Sequence, residues 1–286
     1  MNRIVVLVCV FLTTQVFVFA QMSFDVASVK PMAVNADEPI GASFAVQPGA
    51  RLVATGATLK DLVAYAFDAQ WFQVEDGPDW VDEARFDITA RAPNPDTSRR
   101  EIRAMLQSLL ADRFKLRTKW ETRTLPVYEL MTAADDRRLG SGLRPAKVDC
   151  TAVLDARAVL DISRVAPEQA ACQPEGKFVA GPKTTTMVLV RKGVTLPLLA
   201  RMLTALTRRT VIDRTGLAGA YDVDLTYAPE NVIYVVKGGP IQTAGAPGEG
   251  LSIFTAVREQ LGLKLESARG PSEVLVIESA ARPELD

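Results

Sequence analysis

The strongest constraint on the fold is a pattern of capped helices and short strands that the chain runs through twice. Gly56-Ala57-Thr58-Leu59 is matched 137 residues later by Gly193-Val194-Thr195-Leu196. Arg85-Phe86-Asp87-Ile88 is echoed by Ala220-Tyr221-Asp222-Val223 at an offset of 135, and Arg113-Phe114-Lys115-Leu116 by Gly262-Leu263-Lys264-Leu265 at 149. Matches in the same order imply one unit used twice. In the first copy Thr58 caps a helix with Leu59, Leu62, Val63, Ala66 and Phe67 on one face; in the second, Thr195 precedes Leu196, Leu199, Met202, Leu203 and Leu206. A second helix follows in each copy, capped by Ser98 with Glu101 or by Ser252. Strands are expected at 71–75, 85–91, 211–213 and 221–227. Hairpins are expected at 114–120 with 125–132, and at 263–267 with 273–279 around Gly270-Pro271. Each copy therefore reads βαββαββ. A helix with one apolar stripe buries it on a sheet face, so the expected class is α+β, two similar halves each forming a two-layer helix-on-sheet sandwich. Chance resemblance between capped helices and hairpins is the alternative to duplication.

The expected division is a signal peptide at 1–20, a first half at 21–133, a connecting segment at 134–186, a second half at 187–280 and a tail at 281–286. Residues 24–30 alternate and stop at Pro31, a strand to be added to one sheet. The connector has weak periodicity, with a short helix expected at 152–160. A glycine-rich excursion at 237–250 interrupts the second half.

Residues 1–20 have the order of a secretory signal: Arg3, an apolar run from Ile4 to Leu12 extended by Val16 to Phe19, and Ala20 before a cut at Gln21. The alternative is an uncleaved anchor, against which stand Thr13, Thr14 and Gln15 within the run. No later segment approaches spanning length. Export places the protein in the periplasm or outside the cell. It also makes Cys150 and Cys172, the two cysteines of the mature chain, candidates for a disulfide; two buried free thiols are the alternative.

Composition narrows function more than fold. At 286 residues and 48% hydrophobic, the chain can bury a sizeable core. Its 33 Lys+Arg and 34 Asp+Glu leave no basic surplus for nucleic acid. It has no histidine, which removes Ser-His and Cys-His catalysis and His-ligated zinc. No Walker loop and no S-x-x-K motif is present, and no cofactor or metal is expected.

Several stretches carry a family resemblance: "SFDVASVKP", "ATLKDLVAYAFD", "VEDGPDWVDEARFDITARA", "MLQSLLADRFKLRTKWETRTLPVYEL", "VIDRTGLAGAYDVDLTYAPE" and "IFTAVREQLGLKLESARGPSEVLVIE". Together they resemble a large family of secreted bacterial proteins of unknown function, abundant in soil acidobacteria. Similar domains are fused behind the membrane metallopeptidase of BlaR-type antibiotic sensors. The resemblance implies an extracytoplasmic sensing or binding role and supplies no catalytic residues. A weaker likeness, over "GVTLPLLARMLTALTRRTVIDRTGLAGAYDVDLTY", is to the short periplasmic domains that open secretins and TonB-dependent transporters, which are protein-interaction modules.

Five residues are candidates for binding chemistry. Asp213 opens a glycine-rich stretch ending at Asp222, which reads as a small binding turn or as a turn needing positive φ at Gly216 or Gly219. Asp222 and Asp224 share a strand face, suited to acid–base work or a hard cation, or simply to solvent. Trp71 and Trp80 could stack a sugar or peptide ring, or pack in a core. The expected function is an exported, non-enzymatic binding or interaction module. Its partner would be a protein, peptide or small molecule. The alternative is a carboxylate-dependent hydrolase or lyase acting on an extracytoplasmic glycan or peptide, which needs two acids facing each other about 5–10 Å apart.

Overall fold

A computed structural model describes residues 22–32, 41–135, 138–150, 172, 175–180, 185–229, 233–234, 242–243 and 250–283. The signal peptide, the helix expected at 152–160 and most of the 237–250 excursion lie outside the described residues. No helix among the described residues is long and apolar enough to cross a membrane.

The first half runs β1 (Val26–Pro31), β2 (Ser43–Gln47), β3 (Arg51–Thr58), helix α1 (Leu59–Ala66), β4 (Val74–Glu75), β5 (Arg85–Arg91), helix α2 (Arg99–Arg113) and β6 (Arg117–Thr132). The second runs β7 (Leu143–Pro145), β8 (Glu175–Ala180), β9 (Thr185–Thr195), helix α3 (Leu196–Thr207), β10 (Val211–Asp213) and β11 (Ala220–Tyr227). Two short strands, β12 (Ile233–Tyr234) and β13 (Gln242–Thr243), pair with each other, and helix α4 (Ile253–Leu261) and β14 (Leu263–Ser279) complete the chain. One sheet has the order β1-β5-β3-β2 and another β7-β11-β9-β8. The two orders coincide when each strand of the first half is replaced by its counterpart in the second. β7 and β8 lie within 134–186, so that stretch supplies both edge strands of the second sheet.

The capped helices form where the sequence signals them. Thr58 with Asp61, and Ser98 with Glu101, make reciprocal capping boxes. Pro197 sits in the first turn of α3, where its missing N–H costs no helical bond. Both helix-bearing strands carry a bulge. The ladder of β3 with β5 shifts between Ala54 and Ala57, and that of β11 with β9 between Tyr221 and Val223. Gly56 and Gly193 stand at these bulges with φ of 62° and 60°. Each sends its N–H to an aspartate across the sheet: Gly56 to Asp87 at 2.8 Å, Gly193 to Asp222 at 3.0 Å. Their carbonyls find different partners. Arg85 Nη1 donates to Gly56 at 2.6 Å, whereas Gly193 accepts from the backbone of Cys150 at 2.7 Å. Residue 220 is alanine where the first copy has Arg85, and the Cys150–Cys172 disulfide, Cα atoms 5.4 Å apart, anchors the segment that replaces it.

The closing hairpins are not hairpins. β6 and β14 are single strands of 16 and 17 residues that pair antiparallel with each other along nearly their whole length. Glu121 to Thr124 and Gly270-Pro271, where the turns are expected, lie mid-strand, as does Pro126. There each strand has a described neighbour on one side only, and a strand edge tolerates a missing N–H. β10 lies parallel to β6 at Tyr128–Leu130, and β4 lies parallel to β14 at Leu275–Val276. The central sheet, β10-β6-β14-β4, is thus built from both halves. Each half buries the end of the other's long strand. Leu275 and Ile277 belong to the core around Leu62, Ile88 and Leu106, while Leu130 belongs to that around Leu199, Leu225 and Val257.

Candidate functional site

The structure scatters the five candidates. Asp222 and Asp224 share the outer face of β11, whose Tyr221, Val223, Leu225 and Tyr227 point inward. Asp222 is tied to Gly193 as above. Asp224 faces Arg144 at 3.5 Å, and both side chains are half exposed. Asp213 ends β10, in a different sheet, where one carboxylate oxygen accepts the backbone N–H and hydroxyl of Thr215 at 2.9 and 2.8 Å. This is an Asx-type turn. Trp80 packs beside the first core, edge-on to Phe86, with the Arg282 guanidinium over its ring at 5.5 Å. Trp71, on a 3₁₀ turn before β4, is 52% exposed. No group of three or more Cys, Asp or Glu suited to a metal occurs among the described residues.

A groove of about 680 Å³ lies where the halves meet. Its floor is the middle of the central sheet, with Trp120 from β6 and Pro271 to Glu273 from β14. One wall is α3, through Arg201 and Met202; the other is the chain after α1, through Asp68, Gln70 and Gln73. The Gln73 carboxamide donates to the Glu273 carbonyl at 3.0 Å, fastening that wall to the floor. The Thr210 and Ser272 hydroxyls, 2.6 Å apart, fasten the other side. Burial lowers the pKa of the Arg191 guanidinium on the α3 side, which remains a cation. Trp120 is 46% exposed. Trp71 stands near the same boundary, its ring beneath Arg208, which ends α3, at 5.9 Å. Trp120 escaped the sequence reading. Its signal was an indole amid Arg117-Thr118-Lys119 and Glu121-Thr122-Arg123, a strand polar on both faces where core packing gives an aromatic no reason to be.

The opposite face of this ribbon is a charge network. Arg123 reaches Glu75, Asp76 and Glu121, and hydrogen bonds to Asp76 and then Glu121 push its pKa up. Lys119 joins Glu121 at 2.8 Å. Such alternating charge blunts a sheet edge against stray pairing.

A family model described as a protein of unknown function, DUF3738, matches residues 60–280. The chain belongs to that family. The DUF3738 match begins at the second residue of α1 and ends just after β14, so it takes in both halves and the groove between them. No curated protein and no solved structure matches the chain. Within the DUF3738 match fall all five candidate residues and Trp120.

Proposed function

We propose that this DUF3738 protein is an exported binding module, not an enzyme, and that the groove between its halves is the binding site. The observation that carries the reading is a partly exposed Trp120 on the floor of a groove walled by both halves. Pockets for ligands gather at such junctions, and a rigid indole offers contact area at little entropic cost. Export is supported by the order of residues 1–20 and by the Cys150–Cys172 bond, which suits an oxidising compartment. The resemblance to sensor-fused and secretin-type domains points the same way. The carboxylates read as candidate acids have structural tasks: Asp222 holds a bulge and Asp213 a turn.

Indole fluorescence of the mature chain, titrated with a panel of short peptides and glycan oligomers, tests this alongside mass spectrometry of each mixture. The expected result is saturable binding by some panel members without turnover, weakened about tenfold or more by Trp120→Ala. Turnover by wild type that disappears in an Asp213→Ala, Asp222→Ala, Asp224→Ala variant would establish the carboxylate-dependent hydrolase or lyase instead. The purified mature protein should begin at Gln21.

A further inference from the structure

We propose that the second half carries a separate small-molecule site, between the last turn of α3 and the start of α4, for an aliphatic or aryl chain ending in a carboxylate. The first half shows what fills this place when it is closed. The structure shifts the expected offset here from 149 to 147: the left-handed Lys115 corresponds to Gly262, and the buried Leu106, Leu110, Phe114 and Leu116 correspond to Ile253, Val257, Leu261 and Leu263. On that alignment α4, with 9 residues against 15, lacks the turns that open α2, Arg99 to Met105. In the first half those turns close onto the end of α1. Arg103 meets Asp68 at 2.6 Å and stacks over Tyr65 at 5.3 Å. In the second half the matching space is a groove of about 460 Å³.

Aliphatic and aromatic side chains stand in its walls among polar surface that includes Thr207 and Arg208. Leu206 of α3, Ile253 and Phe254 of α4, Tyr128 of β6 and Tyr227 of β11 form the walls. Tyr128 and Phe254 meet edge to face with ring centroids 5.2 Å apart, and Leu206 stays 37% exposed. Its described lining holds no carboxylate. Two guanidiniums stand at its rim. Arg208 lines it and lies over Trp71, and Arg209 lies over Tyr128 at 4.7 Å. Arg209 also donates to the Ser267 hydroxyl at 3.3 Å. Neither arginine has an ion pair with a described residue.

Charge and shape together choose the ligand. A groove with aliphatic and aromatic side chains in its walls and guanidiniums at its rim suits a molecule with the complementary polarity. A guanidinium binds a carboxylate through two parallel hydrogen bonds. The negative end of the α3 dipole repels an anion, so a carboxylate settles there only on the arginines. A cationic head would meet both of them unfavourably.

Calorimetric titration of the full chain with decanoate, against decan-1-ol as the uncharged control, tests the proposal. Decanoate is expected to bind one per chain, about tenfold or more tighter than decanol. The Arg208→Gln, Arg209→Gln variant should lose that margin and keep decanol binding; Leu206→Asp should weaken both. Trp120→Ala, in the other groove, should change neither, so the two sites fail or stand separately. Absence of decanoate binding by the wild-type chain would overturn the proposal. An unchanged margin in the double arginine variant, or its loss in Trp120→Ala, would also overturn it.

Discussion

A glycine in a left-handed bulge leaves its N–H off the strand ladder, and in this chain an aspartate on the neighbouring strand collects it twice. Asp87 and Asp222 occupy the same place in the two halves, and each accepts from its bulge glycine. A buried N–H that loses its acceptor costs about 1–3 kcal/mol. Asp87→Ala and Asp222→Ala should therefore each destabilise the protein by about that much in urea unfolding. Binding in the inter-half groove should survive both. The sequence showed that Asp222 and Asp224 share a strand face, because period two is local. It could not show that a bulge between Tyr221 and Val223 lets the first of them reach Gly193, because a bulge is a property of two paired strands. At Gly193 itself the constraint is steric as well as conformational: an added Cβ would sit 2.2 Å from the Val148 carbonyl oxygen.

Elements whose signal is confined to a few consecutive residues were legible, and elements defined by a distant partner were not. The four helices among the described residues begin at the expected cap or within one residue of it, since a cap needs only its own first turn. β6 and β14 were misread as hairpins: Gly270-Pro271 is a turn signal unless something holds it in a ladder, and the polar residues 121–124 carry no mark of the partner strand that keeps them extended. The inter-half groove was illegible for the same reason: Gln73 and Glu273 are brought together by the β4–β14 pairing alone. The cap of α2 makes a prediction of its own. The Ser98 hydroxyl and backbone N–H both donate to the Glu101 carboxylate, at 2.7 and 2.8 Å, and hold its pKa below the usual range. A carboxylate with a depressed folded pKa stabilises the fold above its unfolded value, about 4.3, and loses that contribution as pH falls through the folded value. Ser98→Ala should cost about 1 kcal/mol at neutral pH. The gap between wild type and variant should narrow below about pH 4, as Glu101 becomes protonated. Urea unfolding of both proteins at pH 7 and pH 3 measures it.

At the scale of the whole molecule the two halves are exchanged rather than merely joined. β4 of the first half lies on β14, β10 of the second lies on β6, and each core takes in the end of the other's long strand. The relation is that of a two-fold dimer whose copies have been linked in one chain, and it can be tested by undoing the link. In a fragment of residues 22–135, β6 loses its antiparallel partner and the first core loses Leu275 and Ile277, both buried. Burial of such side chains is worth about 1.5–3 kcal/mol each, a large share of a small domain's stability. A second copy of the fragment can restore them. On the helix-end alignment Tyr128 stands for Leu275 and Leu130 for Ile277, so a partner's β6 would bring Tyr128 alongside Val74, as Leu275 is in the intact chain. Leu for Ile keeps the volume; Tyr for Leu does not, so the fragment dimer should be less stable than the intact protein. Light scattering on the eluting fragment should give twice its own mass, and Leu130→Asp should return it to a monomer or unfold it. A well-folded monomer of 22–135 would show instead that the first core stands without the strand it borrows.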